Sequence, residues 1–265
     1  MGMKRMAKAL AAEVGLGRVQ TVVIHDASTK DMFGRLAIVT GGTSGIGLAI
    51  ARRFCQSGAL VALVGTNAAK GKAALESIDG GASYIQANVS SLDEVSRAYE
   101  LIKREYDGKV PDILVNCAGV NSDQHFPDIS ETEFDRVMSV NLKGALLMSQ
   151  MAAQMMIEAK VQGNILNVSS VSSYRPATGP YEISKWGMRG LTVGMADDLI
   201  KYGIVVNAIA PGPTATPMLS KNDASDLKLG WNPSGRMADP REIAELASVL
   251  VSDAGRLIVG DTLCA

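Results

Sequence analysis

"LAIVTGGTSGIGLAIARRFCQSG", Leu36 to Gly58, sets three signals in a fixed order. The first five residues are apolar almost without interruption and partly β-branched, which suits a strand covered on both faces. A turn follows with Gly41, Gly45 and Gly47. The remainder has helical periodicity and is closed by Gly58, a residue suited to a helix C-terminus. A glycine turn between strand and helix lets the main chain approach a charged group. It also aims the first helical N–H groups and the helix dipole at that charge, and a pyrophosphate fits such a place.

The same alternation runs on through the chain. Apolar runs recur at 60–65 ("LVALVG"), 83–89 ("SYIQANV"), 113–119 ("ILVNCAG"), 164–170 ("NILNVSS"), 204–211 ("IVVNAIAP") and 260–265 ("GDTLCA"). Amphipathic helical stretches separate them. Strand–helix alternation of this kind predicts right-handed βαβ units and a doubly wound α/β fold with about seven parallel strands and helices on both faces. One long helix is expected over 130–159, opened by a capping box of Ser130 and Glu133. Its methionines, Met148, Met151, Met155 and Met156, read as core or subunit contact. No linker interrupts 34–265, which is therefore read as one catalytic domain. Residues 1–33 fall outside the pattern and read as an N-terminal extension of a short helix (about 3–14), a Gly-Leu-Gly break and a strand-like "RVQTVVIHD". The sequence ends in the last apolar run, so little room for a C-terminal lid is expected.

Composition narrows the function classes. The chain is 47% hydrophobic and 20% charged, enough for a sizeable core. Its net charge is −1 with both signs interspersed, which argues against nucleic acid or an anionic membrane as partner. A small molecule is the expected ligand. Cys55, Cys117 and Cys264 are far apart and lie in apolar segments, so they read as buried, reduced thiols of a cytoplasmic protein. With only His25 and His125, no metal site is expected and a serine–histidine hydrolase lacks material. His125, in the polar stretch "NSDQHFPD", reads as a solvated loop residue. No apolar run reaches membrane-span length, and "MAKALAAEVGLG" lacks the core of a signal peptide.

About 20 residues beyond such a glycine turn, a dinucleotide fold places a residue beside the adenosine ribose. Here that point is "VGTN". Gly65 ends the run, so no carboxylate repels a 2′-phosphate, while Thr66 and Asn67 can donate to one. No arginine clamps it, and Lys70 is the nearest cation. The balance favours NADP(H) over NAD(H).

Taken in order, the motifs resemble the short-chain dehydrogenase/reductase family over about residues 34–265. "TGGTSGIG" is similar to its glycine motif, "NCAG" (Asn116–Gly119) to its Asn-Asn-Ala-Gly and "VNLKG" to its helix asparagine. "NVSS" carries its serine, "YEISK" its Tyr-x-x-x-Lys, and "APGPTATPM" its Pro-Gly segment. The resemblance implies a Rossmann-type domain binding a nicotinamide dinucleotide. Its cofactor contacts would come from Gly41, Thr43, Ser44, Gly45, Ile46 and Gly47 in the turn, then from Gly65, Thr66 and Asn67. Asn88 and Val89 would lie near the adenine, and Asn116, Ala118 and Gly119 along the groove. Pro211, Gly212, Thr214 and Thr216 would lie beside the nicotinamide. Two positions depart from the pattern: Cys117 replaces the second asparagine, and Asn88 stands where an aspartate is frequent.

Carbonyl reduction needs a hydride, a proton and something to polarise the C=O, and side chains can supply the last two. Tyr181 is the expected proton donor. Lys185 lies one helical turn on and is expected to draw the phenol pKa toward neutrality. The resemblance adds that Lys185 binds the nicotinamide ribose, that Ser170 holds the substrate oxygen and that Asn141 anchors a water leading from Lys185 to solvent. Ser169 is the neighbouring alternative to Ser170, and in a strand only one of the two faces the site. The stretch from Pro217 to Met237, with Met218, Leu227, Leu229 and Trp231 as anchors, is expected to form a substrate flap. Residues 120–126 and 172–178 are expected to line the pocket. The expected activity is therefore interconversion of a secondary alcohol and a ketone such as a 3-oxoacyl thioester, sugar, polyol or small ketone. The family's habit implies a dimer or tetramer. The competing reading is a non-catalytic cofactor sensor, which has no need of all four residues Asn141, Ser170, Tyr181 and Lys185.

Overall fold

The computed structural model describes residues 31–219, 227–230 and 232–265. The expected helix at 3–14, the strand-like 18–26, His25, Trp231 and residues 220–226 of the flap lie outside these. Seven strands form one parallel sheet in the order β3-β2-β1-β4-β5-β6-β7. They are β1 (Leu36–Thr40), β2 (Leu60–Gly65), β3 (Ala82–Gln86), β4 (Ile113–Asn116), β5 (Asn164–Val168), β6 (Val205–Ala210) and β7 (Thr262–Cys264). The sheet order reverses direction at β1, between β2 and β4, and such a switch point opens a crevice at the strands' C-terminal ends.

Every residue of β1, β4, β5 and β6 is buried, which accounts for their unbroken hydrophobicity. One core cluster, with Ile50, Phe54 and Ala247, packs α1 (Gly45–Gln56), α2 (Ala68–Glu76) and α7 (Pro240–Val251) onto one face. The other, with Tyr99, Met148 and Met156, packs α3 (Leu92–Glu105), α5 (Gly144–Ala159) and α6 (Pro180–Leu199) onto the opposite face. Met148 and Met156 are wholly buried, and Met151 and Met155 pack partly buried against the same cluster. Burying a large side chain of this kind contributes roughly 1.5–3 kcal/mol.

Four expectations need correction. The strands are shorter than the apolar runs: after Gln86, Asn116, Val168 and Ala210 the chain leaves the sheet, so the residues that follow line the crevice. The long helix is also interrupted. It runs as α4 (Glu131–Met138), a π turn (Ser139–Lys143) and then α5. Its capping box is half made. Ser130 accepts from the Glu133 N–H, but the Ser130 N–H goes to Gln124 Oε1, and the Glu133 carboxylate is held by Arg136 at 2.7 Å. Last, Cys264 is exposed, at the end of the edge strand β7, while Cys55 and Cys117 are half-buried.

No helix among the described residues is long and apolar enough to cross a membrane.

Candidate active site

The glycine turn is built by close approaches. Gly41 (φ +64°) lies so near the neighbouring loop that a Cβ on it would sit 2.8 Å from Ala118 Cα. A Cβ on Gly47 would strike the Gly41 carbonyl oxygen and lie 2.9 Å from its carbonyl carbon. Both obstacles are backbone and cannot yield. Thr40 at the end of β1 ties the two loops together, its hydroxyl accepting from Cys117 N (3.0 Å) and Ala118 N (3.1 Å). The start of α1 thus opens onto a backbone-lined groove, and Thr43, Ser44 and Ile46 follow the turn around it. Gly47→Ala is expected to abolish cofactor binding in a fluorescence titration, whereas Gly190→Ala, with open space around its would-be Cβ, is expected to leave binding unchanged.

At the end of β2, Gly65 offers no side chain, and its carbonyl accepts from the Tyr84 hydroxyl at 2.8 Å. Asn67 caps α2, its side-chain oxygen accepting from Lys70 N at 2.9 Å, so only its amide N–H groups remain for a ligand. Thr66 gives its carbonyl to Gln86. Asn88 folds back on its own turn, accepting from Ser90 N and Oγ, and Val89 packs into the core against Gly144. Asn116 turns inward, donating to Ser149 Oγ and Asn167 Oδ1 at 2.8 and 2.9 Å; its Oδ1 is buried without a partner.

Ser170, Tyr181, Lys185 and Asn141 come from three segments, the chain after β5, α6 and the π turn, and meet at the crevice. Tyr181 and Lys185 share one face of α6, with Nζ 5.6 Å from the ring centroid. Ser170 follows β5; its hydroxyl accepts from Ser172 N at 3.1 Å and lies close enough to the Tyr181 phenol to oppose the rise of its pKa. Ser169 resolves away from the site: its hydroxyl donates to the Lys185 carbonyl at 3.2 Å. Asn141 sits fully buried at the centre of the π turn, a helix irregularity that recurs at functional sites. Its amide clamps the loop after β4, accepting from Val120 N (2.8 Å) and donating to Val120 O and Ser184 Oγ (both 3.0 Å). This holds Gly119 beside Lys185, since a Cβ there would lie 3.9 Å from Nζ.

The electrostatics correct one expectation. Lys185 does not draw the Tyr181 phenol down. Burial dominates and pushes it above its ordinary value of 10; the Ser170 hydroxyl opposes this, and the Glu182 and Cys117 charges add to it. The reason lies in Lys185 itself. Its ammonium is buried, donates to Val168 O at 2.9 Å and is depressed to about 8 by desolvation. Burial raises the Cys117 thiol to about 11, outweighing the opposing influence of the Lys185 charge and the Gly47 N–H.

Past β6, Pro211 O accepts from Val171 N, tying this segment to the one that carries Ser170. The Thr214 hydroxyl donates to Gly212 O at 3.0 Å, so its donor is committed, while the Thr216 side chain lies against Gly45. Of the flap, Leu227 and Met237 pair through the main chain and Met218 is exposed. Loops 120–126 and 172–178 meet where Phe126 N donates to Thr178 O.

Sequence reasoning missed Thr40 and Ser184. Ser184 had a signal: it lies three residues beyond Tyr181, next to its helical face, and it links Tyr181 O to Asn141. A threonine directly before a glycine turn was a weaker signal for Thr40.

Comparison with known proteins agrees with this geometry. The family model described as short chain dehydrogenase matches residues 35–226. A (3R)-3-hydroxyacyl-CoA dehydrogenase of Canis lupus familiaris is 35% identical over 239 residues, covering 85% of this chain and 92% of its own. A 3-oxoacyl-(acyl-carrier-protein) reductase of Aquifex aeolicus is 33% identical, covering 87% and 95%. Among solved structures, a 3-ketoacyl-(acyl-carrier-protein) reductase of Brucella melitensis complexed with NADH superposes with a TM-score of 0.80 at 29% identity, covering 88% of this chain and 97% of that one. With a matching seven-stranded parallel fold and these relatives over most of its length, the chain belongs to the short-chain dehydrogenase family, the nicotinamide-dependent oxidoreductases that interconvert alcohols and ketones.

Proposed function

We propose that the protein reduces 3-oxoacyl thioesters to 3-hydroxyacyl thioesters, with Tyr181 as proton donor. The observation that carries this reading is the gathering of the Tyr181 phenol, the Ser170 hydroxyl and the buried Lys185 ammonium, with Nζ 5.6 Å from the phenol ring centroid. A phenol raised above 10 keeps its proton at neutral pH, and that suits donation to a ketone oxygen gaining negative charge. Ser170 would hold the same oxygen. Lys185 holds its ammonium on Val168 O behind the phenol, where the resemblance has it bind the nicotinamide ribose. Asn141 positions Gly119 and Val120; because its amide is committed, any proton path through it uses its main chain. The groove lined by Gly41, Gly45, Gly47, Ala118 and Gly119 fits a dinucleotide, because backbone approaches closely there and the N-terminus of α1 faces it. When bound, the nicotinamide supplies the hydride.

The thioester assignment rests on the two kinds of relative named above. The cofactor is proposed to be NADP(H): Gly65 presents no carboxylate, and Asn67 amide N–H groups and Lys70 stand at the start of α2. NADPH is expected to bind more tightly than NADH in a fluorescence titration. Gly65→Asp is expected to reverse that order, since a Cβ there meets only side-chain atoms, the nearest being Thr43 Cγ2 at 3.3 Å, and the carboxylate would repel a 2′-phosphate. Tighter NADH binding by the wild type would overturn the assignment.

Residues 34–265 form the catalytic domain in this reading, with residues 1–33 as an extension to it. A homo-oligomer is supported by exposed Leu146 on α5, Trp186 and Val193 on α6, and the open edge of β7. A cytoplasmic setting is supported by the free thiols of Cys55, Cys117 and Cys264. The reading as a whole is tested by a screen of carbonyl substrates at fixed NADPH. Turnover of a 3-oxoacyl thioester is expected, and turnover confined to sugars or polyols would contradict the substrate assignment.

A further inference from the structure

Beside Tyr181 lies a carboxylate that the chemistry above does not use. Glu182 Oε2 is buried and has no hydrogen-bond partner. A buried carboxylate oxygen left in that condition is costly, so its surroundings matter. They meet at Gly179, the N-cap of α6. A Cβ on Gly179 would lie 2.7 Å from Glu182 Oε2, 2.8 Å from His125 Nδ1 and 2.8 Å from Gln124 O. Glycine is thus required there because the slot is already filled by polar atoms of two segments, the loop after β4 and the first turn of α6. The imidazole nitrogen and the carboxylate oxygen thus face one slot, with no hydrogen bond joining them in this arrangement.

The rest of the loop is fastened at other points. Asn141 holds Val120, Arg136 donates to Asn121 O at 2.7 Å, and Phe126 N donates to Thr178 O at 2.7 Å. His125 is the loop's polar side chain at the Tyr181 end. We propose that Glu182 and His125 are positioning residues that fasten the loop after β4 to the first turn of α6 and hold a carboxylate charge beside Tyr181. The kinetic meaning rests on Tyr181 being the proton donor; the proposed link does not. The Glu182 charge is one of the influences that raise the Tyr181 phenol. The other charged groups of these elements are Asp123 and Asp128 on the loop, Lys185, Arg189, Asp197 and Asp198 on α6, and Glu131, Asp135 and the paired Glu133 and Arg136 on α4.

Two measurements on the full chain test this without needing turnover. Hydrogen exchange at amides 121–128 is followed in the wild type, Glu182→Gln, His125→Asn and the double variant. Each single change is expected to speed exchange about five-fold, the size of one lost hydrogen bond, with the double variant no faster than either single. Unchanged exchange, or effects that simply add, would overturn the link. Phenolate absorbance of Tyr181 is then titrated, with Tyr181→Phe as the baseline. In Glu182→Gln the phenolate is expected to appear at lower pH, an effect that a purely structural role would not produce. An unchanged titration would overturn the electrostatic role. If Glu182→Gln does not fold, His125→Asn on its exposed loop still decides the link, and Glu182→Asp, which keeps the charge, is expected to titrate as the wild type does.

Discussion

Tyr181→Phe is expected to lower kcat by about 10²–10⁴-fold, the range over which a positioned general acid contributes, while cofactor affinity stays at the wild-type level. The substitution removes one oxygen and keeps the ring, so the packing of α6 against the crevice survives. What disappears is the proton donor beside the Ser170 hydroxyl. Ser170 and Lys185 remain in place but cannot replace it: one is a far weaker acid, and the other holds its ammonium against Val168 O. Steady-state kinetics together with a cofactor titration measure both halves. Full activity in the variant would mean that the proton comes from elsewhere.

Lys185→Met is expected to be nearly inactive and yet more stable than the wild type. Burial lowers the lysine from 10.5 to about 8, a cost of roughly 3 kcal/mol for keeping the ammonium charged inside the fold. Methionine carries no such cost. It forfeits the hydrogen bond to Val168 O, about 1 kcal/mol, so the net gain is on the order of 2 kcal/mol. The sign with pH follows from the depressed pKa. Below pH 8 both states of the wild type bind the proton and the penalty is complete. Between about 8 and 10.5 the unfolded chain holds more protons than the folded one, so wild-type stability rises with pH and the gap closes. Thermal unfolding at pH 6 and pH 10 measures this. A lower Tm for the variant at pH 6 would contradict the assignment of a strained, buried cation. Such a residue, costly for stability and kept at the reacting site, illustrates the trade between stability and activity.

Some of this was legible in the sequence and some was not, for physical reasons. Strands buried on both faces carry long apolar runs that no helix imitates at that length, so the sheet and its glycine turn could be read from Leu36 onward. The site residues were legible as an ordered set of motifs. The π turn was not: shifting five residues to another hydrogen-bond pattern leaves almost no trace in hydrophobic periodicity, and Asn141 sat within what read as one continuous helix. The half-made capping box was hidden because Gln124, six residues upstream, competes for the Ser130 N–H. The Tyr181 pKa was misread because pairing with Lys185 is a local property of a helix, whereas burial depth belongs to the assembled fold. The exposure of Cys264 likewise depends on β7 being an edge, which strand order alone decides.

The most direct measurement mixes the protein with NADPH and an acetoacetyl thioester and follows the nicotinamide absorbance alongside product. Formation of one 3-hydroxyacyl thioester for each NADPH oxidised, abolished in Tyr181→Phe, is the result expected. Tight NADPH binding with no ketone reduced, in the wild type as in Tyr181→Phe, would contradict it.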